Sequence, residues 1–264
     1  MSYRDVTYDN VICKVEESIG YLQINRPKAM NSINIPLMND MIAVMEGFNT
    51  DPEVRVVIIY GHERAFAAGA DIKAVAGYNA FEARNFLDLV HKSMFTIEDH
   101  HKPVITAVQG VALGGGLELV LASDIRIVAE DAKLGMPEIS IGIFPGAGGT
   151  QRFPRNISMC QTKELVYTGD FIDGATAAKM GFINRAVPSD KVMETAVKMA
   201  KKIAKKSPLA LREAKNAINQ SMNLDIKAGC RAEQLAWSML FSSEDQKEGM
   251  KAFMEGRPAN FTGK

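Results

Sequence analysis

Two glutamates stand in apolar, glycine-rich surroundings where a carboxylate is unexpected. Glu118 lies two residues after the run Gly114-Gly115-Gly116 in "GGGLELVLASD", and Glu138 is the one acidic residue of "GMPEISIGIFPGAGGTQR". An acid in the first turn of a helix complements the helix dipole, so each glutamate taken separately has an ordinary structural explanation. Together they predict a pair of carboxyl groups in a cleft, where such a pair exchanges protons with a bound water or substrate.

The glycine runs beside these acids do not have the spacing of nucleotide-binding loops. No Gly-Lys-Ser/Thr follows residues 114–116 or 146–149, and neither run completes the pattern G-x-G-x-x-G. Glycine permits tight turns and close packing, which is one interpretation of both runs. The other is that they expose backbone N–H groups at a helix N-terminus to an oxygen that carries negative charge. The small residues of "AFAAGADI" equally fit a turn or a surface against which a ligand lies.

The elements that must position these residues alternate between strand and helix up to about residue 190. "NVICKVEE" and "IGYLQINR" predict a hairpin, and "VRVVIIYG", "PVITAVQG" and "IRIVAE" predict buried strands. Helices are predicted over residues 36–49 and 80–99 and from "GGGLELVLASD", whereas "HERAFAAGADI" is interpreted as a loop. From Gly149 onward helices dominate, with one strand at "FINRAVP", and the last 70 or so residues are mostly helical. This order predicts an α/β core followed by a helical C-terminal region.

Charge and cysteine content restrict the partners and the compartment that we expect. Lys plus Arg and Asp plus Glu are both 31, so the chain lacks the basic excess of a large nucleic-acid footprint. Cys13, Cys160 and Cys230 have no C-x-x-C spacing and are interpreted as free thiols. No apolar run approaches the roughly 20 residues that span a bilayer, and the first residues have no signal-peptide pattern. A cytoplasmic protein without a nucleic-acid or membrane partner is expected.

The four histidines do not have the spacing of a metal site. They are His62, His91, His100 and His101. The adjacent pair cannot share a helix face in the i, i+4 manner, and no histidine has a cysteine or acidic partner at ligand spacing. We expect no metal site, and we expect these side chains at the surface.

The segments "ERAFAAGADIK", "QGVALGGGLELVLASDIRI" and "GMPEISIGIFPGAGGTQR" together resemble the crotonase superfamily, and specifically its enoyl-CoA hydratases. The likeness runs from "YLQINRPKAMNSI" through "GDFIDGATAAKMGFINRAVP" to "EGMKAFMEGRPANF" and so covers nearly the whole chain. It implies an α/β fold with a crotonase-like spiral of repeated ββα units over residues 1–195. It also implies a helical region, residues 196–264, that drives assembly into a homotrimer or, by pairing of trimers, a homohexamer.

The resemblance implies reversible addition of water to a 2-enoyl-CoA thioester, giving a 3-hydroxyacyl-CoA. Glu118 is then the residue that orients and activates water, and Glu138 exchanges a proton with the α-carbon. The backbone N–H groups of Ala70 and Gly115 form the oxyanion hole, where preorganised donors stabilise the charge that develops on the thioester oxygen. Coenzyme A enters as part of the substrate, so no separate cofactor is expected.

Further contacts with the acyl-CoA are implied at positions that match the family's binding loops. They are Lys28, Ala29, Ala68, Asp71, Ile72, Lys73 and Gly146. Residues 78–90 are expected to border the acyl pocket, and Trp237 matches a position that either contributes to a neighbouring subunit or packs within its own helix. The chain departs from some hydratases at Met136, where they carry a glutamine two residues before the second acid.

Two other functions remain open on this resemblance. One is different chemistry of the same superfamily, either double-bond isomerisation or dehydration of a 3-hydroxyacyl-CoA. Isomerases often keep one of the two acids, so the presence of both favours a hydratase. The other is a non-catalytic member that binds acyl-CoA or RNA, which the retained acids and the balanced charge disfavour.

Overall fold

A computed structural model describes residues 3–264, and within them the larger sheet has six strands. In sheet order they are β1 (Val11–Glu16), β2 (Ile19–Ile24), β3 (Val56–Tyr60), β5 (Val104–Val108), β7 (Ile125–Ala129) and β10 (Arg185–Val187). β1 and β2 form the predicted antiparallel hairpin, and the remaining neighbours pair in parallel. β5 is buried along its whole length, as expected for an apolar strand that is covered on both faces.

A smaller sheet is built from short strands that follow those of the larger sheet. They are β4 (Ala65–Ala67), β6 (Val111–Leu113), β8 (Lys133–Gly135) and β9 (Phe171–Asp173). β4 follows β3, β6 follows β5 and β8 follows β7, so the same ββα unit occurs three times in succession. The interpretation of residues 62–72 as a loop was therefore wrong at β4, because a three-residue strand is too short to show an alternating pattern.

Helices complete each unit and cover the sheets. In the first 180 residues they are α1 (Ile35–Thr50), α2 (Ile72–Val75), α3 (Ala80–Glu98), α4 (Gly115–Ala122), α5 (Gly149–Asn156), α6 (Met159–Thr168) and α7 (Gly174–Met180). α1 begins after Asn34, whose side chain accepts a hydrogen bond from the Leu37 N–H at 3.0 Å. α3 begins with a capping box formed by Asn79 and Glu82. These side chains satisfy amides that a helix cannot pair within itself, so they fix where each helix starts.

The C-terminal region consists of α8 (Val192–Ala204), α9 (Pro208–Gln220), α10 (Ile226–Met239) and α11 (Glu244–Glu255). α8 packs on β3 and β5 through its buried Ala196 and Ala200, so the predicted boundary at residue 195 lies inside a helix that covers the larger sheet. α10 buries none of its side chains in this chain. Trp237 is 61% exposed and contacts Phe241 with ring centroids 4.6 Å apart.

His100 is not at the surface, contrary to the prediction. Its side chain is buried at the end of α3, where Nδ1 accepts from the Lys102 N–H at 3.2 Å and Nε2 lies 3.1 Å from the Met45 carbonyl oxygen. These contacts join α1 to the segment before β5, and burial lowers the pKa of His100 to about 3. Within the described residues 3–264, no helix is both long enough and apolar enough to cross a membrane.

Candidate active site

Glu118 is carried into the interior by the first turn of α4. The helix starts after Gly114, which has φ 49° and ψ −124°, a conformation that glycine tolerates and other residues avoid. A β-carbon at Gly116 would lie 2.1 Å from the Ala67 carbonyl oxygen, so the absence of a side chain there lets α4 pack directly on β4. As a result, Glu118 is only 2% exposed.

Two backbone amides hold one oxygen of the Glu118 carboxyl group. Its Oε1 accepts hydrogen bonds from the N–H of Ala147 at 2.8 Å and of Gly149 at 2.7 Å. The pKa of Glu118 is raised to about 7, mainly by burial and also by the charge of Glu138, against the lowering effects of these two amides and of the charge of Arg152. A carboxyl group with a pKa near neutrality is suited to accept a proton from water and to release it again.

Glu138 lies in the 3-10 turn Pro137–Ile141 that follows β8. Its Oε1 lies 2.6 Å from the point where a β-carbon on Gly114 would stand, and its Oε2 is buried without a hydrogen-bond partner among residues 3–264. Burial raises the pKa of Glu138 as well. An unpartnered buried oxygen is costly, so this carboxyl group is available to bind a water or a substrate.

The structure brings the two predicted acids together at one turn. Glu138 Oε1 packs against Gly114, and Glu118 Oε2 lies 3.9 Å from the β-carbon position of the next residue, Gly115. The charge of Glu138 raises the pKa of Glu118, so the protonation state of one carboxyl group affects the other. Such a pair can hold one water and move its protons.

The two backbone amides predicted as oxyanion donors, those of Ala70 and Gly115, lie at the start of α4, which the Glu118 carboxyl group also approaches. Gly115 is the first residue of α4, so its N–H is one of those that the helix cannot pair. Ile33 bonds to the Gly69 carbonyl oxygen and to the Asp71 N–H, on either side of Ala70. The Ala70 nitrogen lies 4.0 Å from the β-carbon position of Gly115. Each of these residues and Glu138 follows a strand of the smaller sheet: Ala70 follows β4, Gly115 follows β6 and Glu138 follows β8.

The other predicted binding residues fall into two groups. Gly146 precedes the Ala147 amide that holds Glu118, and its β-carbon position is 3.3 Å from Leu87 of α3. The remaining residues lie on two segments, 28–29 before α1 and 68–73, which runs into α2. The segments are joined by the Ala68 N–H, which donates to the Met30 carbonyl oxygen, and by an ion pair between Arg26 and Asp71 at 3.1 Å. In these segments the side chains of Lys28, Ile72 and Lys73 are exposed, and Ala29, Ala68 and Asp71 are half-buried.

Two charged residues at this site were not singled out by the sequence. Arg152 of α5 is 8% exposed and forms an ion pair with Glu98 at the end of α3. Its Nη1 donates a hydrogen bond to the Ala147 carbonyl oxygen at 3.1 Å. The arginine follows the second glycine run in "GAGGTQR", which places it on the first turns of a helix beside the acid. Nothing in the sequence signals its partner, which lies 54 positions away.

Comparison with known proteins agrees with this architecture. The sequence pattern of the family described as "Enoyl-CoA hydratase/isomerase" matches residues 14–264. A crotonyl-CoA hydratase of Syntrophomonas wolfei is 43% identical over 98% of this chain and 100% of its own length. A short-chain-enoyl-CoA hydratase of Clostridium acetobutylicum is 41% identical, over 94% of this chain and 96% of its own.

The solved structures agree as well. The crystal structure of an enoyl-CoA hydratase from Bacillus anthracis superimposes with a TM-score of 0.93 at 38% identity, covering 97% of this chain and 100% of that one. The likeness extends over both sheets and the C-terminal helices, which confirms the predicted α/β crotonase-like fold. The chain therefore belongs to the enoyl-CoA hydratase/isomerase family of the crotonase superfamily.

Proposed function

We propose that Glu118 and Glu138 catalyse the reversible addition of water to the double bond of a 2-enoyl-CoA thioester, giving a 3-hydroxyacyl-CoA. The observation that carries this proposal is the meeting of the buried Glu118 carboxyl group and the half-buried Glu138 carboxyl group at the Gly114–Gly115 turn, next to the Ala70 amide. Family membership and the hydratase names of the most similar relatives point to the same reaction.

The proposed reaction uses each acid for one proton. The carboxylate of Glu118, oriented by the Ala147 and Gly149 amides, accepts a proton as the water oxygen bonds to C3 of the enoyl group. The electron pair of the C2–C3 double bond moves toward the thioester carbonyl. Glu138 gives a proton to C2, and proton exchange within the coupled pair restores the starting state. The reverse sequence dehydrates the 3-hydroxyacyl-CoA.

The thioester oxygen gains negative charge in this reaction, and we assign the amides of Ala70 and Gly115 as the donors that stabilise it. Removing one such donor typically raises the activation free energy by about 2.7–4 kcal/mol. The Ala70 N–H follows β4, and the Gly115 N–H lies at the start of α4. A carbonyl oxygen that accepts from both must therefore lie between the end of β4 and the start of α4.

We assign the segment before α1 and the segment that runs into α2 to the coenzyme A portion of the substrate. The residues involved are Lys28, Ala29, Ala68, Asp71, Ile72 and Lys73, with Gly146 on the acyl side. The exposed lysines offer cations to phosphate groups, and the small half-buried residues leave backbone groups accessible. No cofactor apart from the substrate's coenzyme A is proposed.

Assembly into a homotrimer or a pair of trimers is proposed on the basis of the C-terminal helices. Ile226 is 80% exposed and Phe253 is 86% exposed, and large apolar side chains left bare in one chain are typical of interfaces. A cytoplasmic setting is proposed because Cys13, Cys160 and Cys230 are all unpaired.

Hydration of crotonyl-CoA tests the proposal. Two relatives are named for this substrate and for short-chain enoyl-CoA, so it is the first substrate to use. Loss of the ultraviolet absorbance of the conjugated thioester, with a 3-hydroxybutyryl-CoA product identified by mass, is expected. E138Q should lower kcat by about 10²–10⁴-fold while retaining binding of butyryl-CoA, since general acid–base groups contribute on that scale. The exposed Asp131 provides the control, and D131N should retain activity. Full activity of E138Q would contradict the assignment.

A further inference from the structure

We propose that Arg152, anchored by Glu98, is a positioning residue that holds the 146–149 loop against Glu118 and keeps that acid ready to accept a proton. This inference rests on the proposed function. Arg152 touches neither acid directly, so its effect passes through the loop and through its charge.

Arg152 holds the residue whose amide holds Glu118. Arg152 NH1 donates to the Ala147 carbonyl oxygen at 3.1 Å, and the Ala147 N–H donates to Glu118 Oε1 at 2.8 Å. The Arg152 N–H also donates to the Gly148 carbonyl oxygen at 2.7 Å. Both the backbone and the side chain of Arg152 therefore fix the loop that supplies two hydrogen bonds to the acid.

The loop is shaped to admit the guanidinium group. A β-carbon at Gly148 would lie 2.0 Å from Arg152 NH1, so the arginine occupies the space that any side chain there would need. Gly148 has φ 105°, in the left-handed region that favours glycine. The guanidinium carbon also lies over the Phe95 ring, 5.6 Å from its centroid.

Glu98 is fixed in turn by the C-terminal region. Asn219 of α9 donates to the Glu98 carbonyl oxygen at 3.0 Å, and Lys215 of the same helix donates to the Ile97 carbonyl oxygen at 3.3 Å. The carboxylate partner of Arg152 therefore stands on a helix end with a fixed backbone. A chain of contacts joins α9, the end of α3, Arg152, the 146–149 loop and Glu118.

Several charged groups lie on the elements packed around the 146–149 loop. They are Glu138 after β8, Glu98 and Asp99 at the end of α3, Asp124 and Arg126 at β7, Lys215 on α9 and the exposed Arg155 on α5. β4 and β6 carry no charged residue. The positive charge of Arg152 lowers the pKa of Glu118 and opposes the effect of Glu138. Removing it leaves Glu118 more protonated at neutral pH.

The pH profile of kcat for R152Q tests the proposal. We expect kcat at neutral pH to fall about tenfold, the scale of changes within a coupled network. We also expect the acid limb of the profile, where kcat falls toward low pH, to move upward because a nearby positive charge is lost. KM should change little, because Arg152 lies outside the proposed coenzyme A contacts.

Two further variants separate charge from anchoring. R152K keeps the charge without the planar fork, so its acid limb should stay near that of the wild type although kcat is reduced. E98Q removes the anchor and leaves the positive charge, so kcat should fall without an upward move of the limb. The matched control is R155Q on the same helix, whose side chain is exposed and donates only to the Gln151 carbonyl oxygen, and it should behave as wild type.

A merely structural role of Arg152 would lower the amount of folded enzyme and leave the pH limb in place. An R152Q protein with the wild-type kcat and limb, or R152K and E98Q proteins that are both fully active, would overturn the proposal. An infrared titration of the buried carboxyl band, assigned with E118Q, reads the same upward shift without turnover. That measurement decides the inference even if the wild-type protein fails to hydrate crotonyl-CoA, an outcome that would contradict only the proposed function.

Discussion

The Oε1 atom of Glu138 lies 2.6 Å from the point where a β-carbon on Gly114 would stand, so the acid occupies the side-chain space of that glycine. This contact links the carboxyl group after β8 to the turn that starts α4. The turn therefore places Glu118 in the helix and determines how closely Glu138 approaches it.

Substituting Gly114 by alanine should damage both folding and turnover. The conformation with φ 49° and ψ −124° is strained for alanine by about 1–3 kcal/mol, and the methyl group would displace the Glu138 carboxyl group. Urea unfolding measures the first effect, and kcat on crotonyl-CoA measures the second. G181A is the matched control, because Gly181 also has a positive φ and a β-carbon there meets nothing within 4 Å. It should lose stability and retain kcat per folded enzyme, and equal kcat losses would contradict the interpretation.

Substituting Glu118 by glutamine should stabilise the fold at high pH. The pKa of Glu118 is about 7 in the folded protein, against an ordinary value of 4.5, so the unfolded chain releases this proton first as the pH rises. Native Glu118 therefore reduces stability progressively between pH 4.5 and 7, by about 1.4 kcal/mol per unit of separation. The difference in unfolding free energy between E118Q and wild type should be small near pH 4.5 and largest above pH 7. A stabilisation that does not depend on pH would count against the shifted pKa.

Replacing Met136 by glutamine should make Glu118 more acidic. The Met136 sulfur and Glu118 Oε1 both lie within 3 Å of the β-carbon position of Gly149, and Met136 is fully buried. An amide N–H₂ group there can donate to the carboxylate, which favours its charged form. The acid limb of the kcat profile should therefore move to lower pH in M136Q. M136L keeps the apolar surroundings and should leave the limb in place, so a similar shift in both variants would exclude hydrogen bonding as the cause.

Removing Lys215 should loosen the attachment of α9. Its Nζ bonds to Asp124 Oδ2 at 2.8 Å, with the lysine side chain 8% exposed and the aspartate side chain 22% exposed. Breaking a buried ion pair from one side costs up to about 3–5 kcal/mol, and partial exposure of the aspartate reduces that cost. Urea unfolding of K215M should show a clear loss, and K215M/D124N should recover part of it because the uncompensated charge is removed. No recovery in the double variant would mean that packing of the lysine stem, and not charge, is what matters.

The parts of the fold with clear periodicity could be predicted from the sequence. The helix predicted at residues 36–49 is found at Ile35–Thr50, and that predicted at 80–99 is found at Ala80–Glu98. Their apolar stripes and N-cap residues are local signals that do not depend on distant contacts. The strands of the smaller sheet are three residues long and pair with strands that are distant in the sequence, so no local pattern indicates them.

The candidate site likewise has residues that the sequence indicated and residues that it did not. Glu118 and Glu138 stood out because each interrupts an apolar, glycine-rich stretch, and the structure places them at one turn. The partnership of Arg152 with Glu98 depends on how α3 and α5 pack, which spacing along the chain does not reveal. His100 was expected at the surface for the same reason. Its ring contacts the Met45 carbonyl oxygen on α1 and the Lys102 N–H, and spacing along the chain does not reveal the contact with α1.

The contribution of one piece of the site by each of three successive ββα units bears on how such a protein diversifies. Ala70, Gly115 and Glu138 each follow their own short strand, and the roles proposed for the first two use backbone N–H groups, which every residue except proline carries. Mutation can therefore exchange the acid on one unit without erasing the amides on the others. Under the proposed assignment, a descendant that lost Glu138 would still bind a thioester and stabilise its enolate, which would allow a different reaction at C2. Single substitutions can therefore change the reaction. The backbone amides are the part of the site that is hardest to rebuild, and changes of side chain leave them intact.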